Sequence, residues 1–297
     1  MWHIHTSSVT GRNHQRKGTP IQDRTCVRTE GGVTAVALAD GAGSASLSQE
    51  GAEAAVQRTC QFLCQNFDAL YCAETPVALR RAILVQAVEA LVQRAGELGA
   101  PAQELACTLM AVAVKGDRYL IFHVGDGMVV YQKEGKVKAA SVPWNGEFAN
   151  HTVFLTSPDA LQRSKGYRGI QPKLEGFCLM SDGSGAALYE KRKERPAPIL
   201  KILLQQTQLL GNDIAAEILE SVMQKIVSPR TQDDCSLILL TRKGAHFGCW
   251  ENMSPREKAA VLGIRTGKRS KRRRQINRYA MKYGVIRTER NRKEIMR

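Results

Sequence analysis

The sequence predicts an α+β fold in which antiparallel sheets are covered by helices. Three observations lead there. Apolar, β-branched runs are joined by links too short to hold a crossover helix. Between groups of such runs lie pairs of helix-length segments with apolar residues three and four apart. The regular strand–helix–strand alternation that builds a parallel sheet is missing.

Taken in order, His3-Ile-His5 alternates as one face of an N-terminal strand does. Residues 33–40 (VTAVALAD) read as a buried strand entering a loop at Asp40-Gly41. From Leu47 to about Leu70, Ala54, Ala55, Phe62, Leu63 and Phe67 keep helical spacing. A second helix fits Val77 to Leu98, with Pro76 at its start. LACTLMAVAVKG, DRYLIFHVGDG and MVVYQKEGKV read as successive strands, with turns at residues 115–117 and 134–135. Residues 141–175 are polar and turn-rich, with two short strand candidates, and are expected to form a mobile flap. FCLMSDG is another apolar strand, ending at Asp182-Gly183. Helices follow from about Pro198 to Val227, interrupted near Gly211-Asn212. CSLILLTRK is a strand behind Asp233-Asp234. Beyond it, Ser254-Pro255-Arg256-Glu257 forms a capping box. Ile276, Tyr279, Ala280 and Tyr283 share one face of a later helix that Gly284 can end.

Charge divides the 297 residues. Residues 254–297 hold 16 Lys/Arg against 3 Asp/Glu, so they carry +13 of the net +15. The expected organisation is a near-neutral domain over residues 1–243 and a basic extension over 244–297. No apolar run approaches the roughly 20 residues of a membrane helix, and no secretory signal opens the chain. The eight cysteines form no CxxC pair and several sit in apolar strings. They are expected to be mostly buried thiols of a cytoplasmic protein.

The chemistry sits in aspartates. Asp40, Asp126, Asp182 and Asp233 each border an apolar strand-like run, and three of them precede glycine. Asp-Gly is a good turn, so any one instance says little. Four at strand ends can converge on one sheet edge. Converging carboxylates without matching bases repel one another, and divalent cations with oxygen ligands relieve this.

In order and spacing, Gln22-Asp23, Asp40-Gly41-x-Gly43, Val124-Gly125-Asp126, Ser181-Asp182-Gly183 and Asp233-x-x-Ser236 resemble the type 2C metal-dependent protein phosphatases, over residues 8–242. Gly11, His14, Gly18-Thr-Pro and the Gly146-Glu-Phe-Ala-Asn150…Thr152 stretch resemble a bacterial branch. The resemblance implies a four-layer α-β-β-α sandwich with two antiparallel sheets. It implies hydrolysis of phosphoserine and phosphothreonine in proteins by a hydroxide bridging two Mn2+ or Mg2+ ions. Asp23, Asp40, Asp182 and Asp233 match the catalytic carboxylates. Asp40, the Gly41 carbonyl, Asp182 and Asp233 match the metal ligands, with Asp234 as fallback for Asp233, and Asp23 matches either a direct ligand or a holder of coordinated water. Asp126 matches the position of a weaker third ion, or else a structural turn. His14 or Arg16 would contact the substrate phosphate. The implied partners are phosphorylated proteins, with a cognate Ser/Thr kinase or its targets among them.

Some positions depart from the family pattern. Gln22 replaces a common Glu, Ser44 a glycine, and Gly127-Met128 a common Ser-Arg. The Arg that family members usually carry nearer the acidic residue is Gly18 here. No cysteine has Arg six positions later, which excludes the Cys-dependent phosphatase pattern. Gly41-Ala-Gly43 after a strand suggests a dinucleotide loop only weakly, because Asp40 would face the pyrophosphate. His123, inside an apolar strand, is expected to be a hydrogen-bonded core residue. The alternatives are a non-catalytic phosphoprotein-binding scaffold and a nucleic-acid or acidic-partner interaction through residues 254–297.

Overall fold

The computed structural model describes residues 2–143, 152–209 and 212–242. Its elements are β1 (Trp2–Val9), α1 (Arg12–Lys17), β2 (Arg24–Glu30), β3 (Val33–Ala39), α2 (Ser48–Tyr71), α3 (Pro76–Leu98), β4 (Leu109–Lys115), β5 (Arg118–Val124), β6 (Met128–Lys133), β7 (Lys136–Ser141), α4 (Ala160–Arg163), β8 (Lys165–Ile170), β9 (Leu174–Met180), α5 (Asp182–Leu188), the short hairpin β10 (Tyr189–Glu190) and β11 (Arg195–Pro196), α6 (Pro198–Leu209), α7 (Asn212–Val222) and β12 (Cys235–Arg242). One five-stranded sheet has the order β1-β12-β9-β6-β7 and the other β2-β3-β4-β5-β8. Every pairing in both is antiparallel.

The apolar strands are buried on both faces, which is why they read as unbroken hydrophobic runs. On β3, Val33, Ala35, Ala37 and Ala39 pack on Ala52, Val56 and Leu63 of α2 and Ile83 and Leu91 of α3. The alanines keep that face shallow enough for α2 to lie close. The alternate residues, Val36 and Leu38, face the other sheet with Met110, Val112 and Ile121. There they meet Val129, Phe177, Leu179, Ile238 and Leu240. The remaining face of the first sheet, with Met180, Leu237 and Leu239, is covered by Leu200, Leu203 and Leu204 of α6 and Leu219 of α7. The period of two thus sorts each strand between two cores, and each large side chain fully buried there contributes about 1.5–3 kcal/mol. The four-layer sandwich is the architecture observed, and its antiparallel sheets exclude a dinucleotide-binding fold.

Among the elements that escaped the sequence reading, three bear on the candidate site. β2 is an edge strand whose outer half is exposed and polar, so it lacks an apolar signature. α1 is a single short turn of helix with no buried residue. The Ser181-Asp182-Gly183 turn is in fact the start of α5, with Ser181 as N-cap. The described part of the expected flap, from residue 152, is built into the domain. Leu155 is buried and its N–H donates to Cys107 O at 2.8 Å, while β8 pairs with β5. The GEFAN motif at 146–150, the break at Gly211 and the basic extension lie outside the described residues. His123 is buried and shares a 2.7 Å hydrogen bond with Ser141 Oγ, as expected of a core histidine. No helix among the described residues is long and apolar enough to cross a membrane.

Candidate metal centre

The antiparallel register brings the ends of β3, β5 and β9 and the start of β12 to one end of the sandwich. Leu38 pairs with Met110, Leu109 with Val124, and Met180 with Leu237. The aspartates that follow or precede these strands therefore gather there. Asp40, Asp126 and Asp182 each bring one carboxylate oxygen within 4.8 Å of the others.

Each is held by its own local structure. Thr108 clamps Asp40: its Oγ1 accepts from Asp40 N at 2.9 Å, and its N–H donates to Asp40 O at 2.8 Å. Gly125 has φ of 119° and lies so close to Thr108 that a Cβ would approach the Thr108 Cβ to 2.5 Å. Only glycine lets the chain leave β5 there and turn to Asp126. Asp126 Oδ2 accepts a 2.6 Å hydrogen bond from Thr152. Asp182 is the first residue of α5, in hydrogen-bond contact with Asp40, and its Oδ1 is buried without a partner.

Asp233 and Asp234 take different tasks. Asp234 is buried and spent on structure. Its Oδ1 accepts from Gly11 N at 2.7 Å, its Oδ2 accepts from Gln22 N at 2.7 Å, and His14 Nδ1 lies 2.9 Å from Oδ2. A Cβ on Gly11 would sit 2.3 Å from Asp233 C, and one on Gly183 would sit 2.2 Å from Asp234 O. Both glycines are needed for this close packing. Asp233 instead adds its charge to Asp40 and Asp182.

The electrostatics follow. Burial, then the charges of Asp23, Asp182, Asp126 and Asp233, raise the Asp40 carboxyl well above its ordinary range. Burial, with Asp126 and Asp233, pushes Asp182 up to about 6. Asp23, buried behind the cluster, is pushed up to about 7 by burial, although the Ser236 and Ser181 hydroxyls pull the other way. Among the described residues, no ion pair reaches Asp23, Asp40, Asp126, Asp182 or Asp233. Oxygen donors that repel one another, one of them buried without a partner, suit hard divalent cations.

Of the residues singled out from sequence, Asp40, Asp126 and Asp182 converge, Asp233 acts on them through its charge and Asp23 backs them. Gly41 follows Asp40 and bridges to Cys107. His14 is turned toward Asp234, and Arg16 is exposed on α1. Thr108 went unnoticed, Thr152 was quoted only within a motif, and Asp234 was only a fallback. Nothing in Cys-Thr-Leu-Met marks Thr108 as the clamp, since its partner lies 68 positions away.

The sequence matches the protein phosphatase 2C family over residues 10–224. The chain belongs to the protein phosphatase 2C family. The match spans the strands and loops that carry Asp23, Asp40, Asp126 and Asp182, and it stops short of Asp233. Serine/threonine-protein phosphatase 3 of Escherichia coli K12 is 27% identical over 255 residues, covering 80% of this chain and 97% of its own. A solved bacterial serine phosphatase superposes with a TM-score of 0.56 at 17% identity, covering 82% of this chain and 99% of that one. The serine/threonine phosphatase of S. agalactiae gives 0.54 at 18% identity, over 82% and 100%. These solved structures share the fold of this 2C phosphatase.

Proposed function

We propose that this phosphatase hydrolyses phosphoserine and phosphothreonine in proteins, with Asp40, Asp126, Asp182 and Asp233 as the carboxylates that hold two divalent cations. The carrying observation is the convergence of three carboxylates within 4.8 Å at one sandwich end where, among the described residues, no ion pair compensates them. Bound there, Mn2+ or Mg2+ would make a water nucleophilic at neutral pH and neutralise the charge that develops on the phosphoryl oxygens.

The chain's own residues do the rest. Thr108 fixes the backbone of Asp40 from both sides and so sets where its side chain leaves the main chain. Thr152 orients Asp126, which shares the site with Asp40 and Asp182 rather than standing apart as a turn. The Gly41 carbonyl is the further oxygen available beside Asp40. Asp23, behind the cluster, adds a charge that strengthens cation binding. Asp234 ties α1 to the start of β12. His14 and Arg16 thereby stand on an element anchored to the site, and Arg16 is the cation offered to the substrate's phosphate or to acidic residues around it. The intact carboxylate set favours a catalyst over a scaffold. The domain comprises residues 1–243, with 244–297 as an extension that binds an acidic partner.

Hydrolysis of a phosphothreonine peptide, measured with Mn2+, with Mg2+ and with a chelator, tests the reading. Turnover with metal and none with chelator is expected. Folded, metal-loaded protein without turnover would leave a phosphoprotein-binding role instead.

A further inference from the structure

Three thiols line the seam between β2 and α2. Cys60 and Cys64 are one turn apart on α2 and both point at β2 opposite. Cys60 Sγ lies 3.6 Å from the carbonyl oxygen of Cys26, and Cys64 Sγ lies 3.6 Å from that of Arg28. Cys26, on β2, packs into the same seam opposite Cys60.

The two members of the pair are unlike. Cys26 is half-buried on an edge strand, whereas Cys60 is buried behind it. The Cys60 side chain opposite, helped by the charge of Arg28, favours the Cys26 thiolate. The Cys26 side chain, with burial, keeps the proton on Cys60. A nucleophilic, reachable thiol with a second thiol behind it is the arrangement of an attacking and a resolving cysteine. Neither is used by the proposed chemistry of the carboxylates.

We propose that Cys26 and Cys60 are a redox modification site, at which a small disulfide such as oxidised glutathione converts the two thiols to a protein disulfide. The Cys26 thiolate attacks one sulfur of oxidised glutathione, forming a mixed disulfide and releasing one glutathione thiolate. Cys60 gives its proton to that thiolate and attacks the Cys26 sulfur, expelling the second glutathione. The protein loses two electrons and two protons, and one glutathione disulfide becomes two thiols.

The bond has a consequence for the site. An S–S bond of about 2 Å is much shorter than a thiol–thiol contact, so closing it draws β2 toward α2. β2 begins at Arg24, directly after Asp23, and pairs along its whole length with β3, which ends directly before Asp40. Arg24 also holds the carbonyls of Ile21 and Asp23 at 2.6 and 2.9 Å. Displacement at Cys26 therefore reaches Asp23, and the oxidised protein is the less active form.

The test exposes the full chain to graded oxidised glutathione, blocks remaining thiols, and reads both linked peptides by mass spectrometry and phosphothreonine-peptide hydrolysis with Mn2+. The expected result is a peptide joining Cys26 to Cys60 with the loss of two hydrogens. A fall in turnover of about tenfold or more should accompany it and be reversed by dithiothreitol. Cys26→Ser should keep the basal rate and resist inactivation. Cys72→Ser, which removes an exposed thiol away from the seam, should behave as the starting protein. In Cys60→Ser, oxidation should stop at a glutathione adduct on Cys26. If that variant does not fold, the linked peptide in the unmodified chain decides. No linked peptide, a linked protein of unchanged activity, or equal inactivation of Cys26→Ser would each overturn the proposal. The activity arm rests on the phosphatase reading, but the linkage is read by mass and fails or stands without it.

Discussion

At one end of the sandwich Asp117 meets Arg242 at 2.6 Å, Glu134 meets Lys173 at 2.6 Å, and Asp68 meets Lys115 and Arg118. At the other end Asp40, Asp126 and Asp182 meet one another, and among the described residues no ion pair reaches them. The same residue types lie at the two ends of the sandwich, yet the acidities of Asp68 and Glu134 at one end and of Asp40 and Asp182 at the other move in opposite directions. Hydrogen bonds from lysine lower the carboxyl pKa of Asp68 and Glu134. Burial and mutual repulsion raise that of Asp40 and Asp182. Carboxylates at strand ends are thus no hardship of this fold where it supplies a cation from the neighbouring turn. Among the described residues no protein cation pairs with the acids at the other end, and that contrast is what supports the proposal of a site for cations from solution there.

Removing a carboxylate from the unpaired end should have the largest effect. Asp40→Asn should lower metal-dependent turnover by at least about 100-fold, more than the loss of a supporting contact around a metal typically costs. It should also raise the melting temperature of the chelator-treated protein, because it relieves repulsion. Wild-type turnover would break the site assignment, and an unchanged or lower melting temperature would break the claim of close convergence.

Asp234 should separate structural from catalytic acids. Asp234→Ala leaves the Gly11 and Gln22 N–H groups unpaired and should cost about 3 kcal/mol in urea unfolding. A cost near zero would mean that the tie between α1 and β12 is not maintained in solution.

Protonation offers a milder perturbation. Asp23 and Asp182 have folded-state values of about 7 and 6, raised above their ordinary value of 3.8. The metal-free folded protein therefore binds more protons than the unfolded chain between those values. Its stability should be greatest at the acid side and should fall as pH rises through 6 and 7. Thermal melts in chelator at about pH 5.5 and 8 check the sign, and adding Mn2+ at pH 8 should restore the lost stability. A metal-free protein that melts higher at pH 8 would contradict the electrostatic account.

The paired end should barely respond. Asp117→Asn removes a surface ion pair and should change stability by no more than about 1 kcal/mol, with turnover unaltered. A large loss of activity would show that the two ends are coupled more tightly than the contrast implies.

Much of this was legible in the chain because the strands are so apolar. Runs buried on both faces stand out, and so do the acids where they end. Asp40, Asp126 and Asp182 were visible for that reason. The Asp-x-x-Ser resemblance put Asp233 ahead of Asp234, but the structural task of Asp234 was not legible. The backbone N–H groups of Gly11 and Gln22 that claim Asp234 come from more than 200 positions away. α5 was hidden because Asp182-Gly-Ser-Gly has turn composition, and the close packing of Gly183 on the Asp234 carbonyl involves a residue far along the chain. β2 was hidden because an exposed edge needs no apolar face. The Cys26–Cys60 seam follows from the same strand and was equally unreadable, since 34 positions separate the two residues.

β1 pairs along its whole length with β12, the last strand described. During synthesis the earliest strand must wait for its partner, which at about 5–20 residues per second is a delay of roughly 10–50 s. For that interval the clasp between Gly11 and Asp234 cannot exist, and the acid end lacks Asp233. A growing chain is therefore unarmed until β12 has emerged, and a ribosome that stalls before β12 releases a fragment with most of the described apolar strands but without the proposed centre complete.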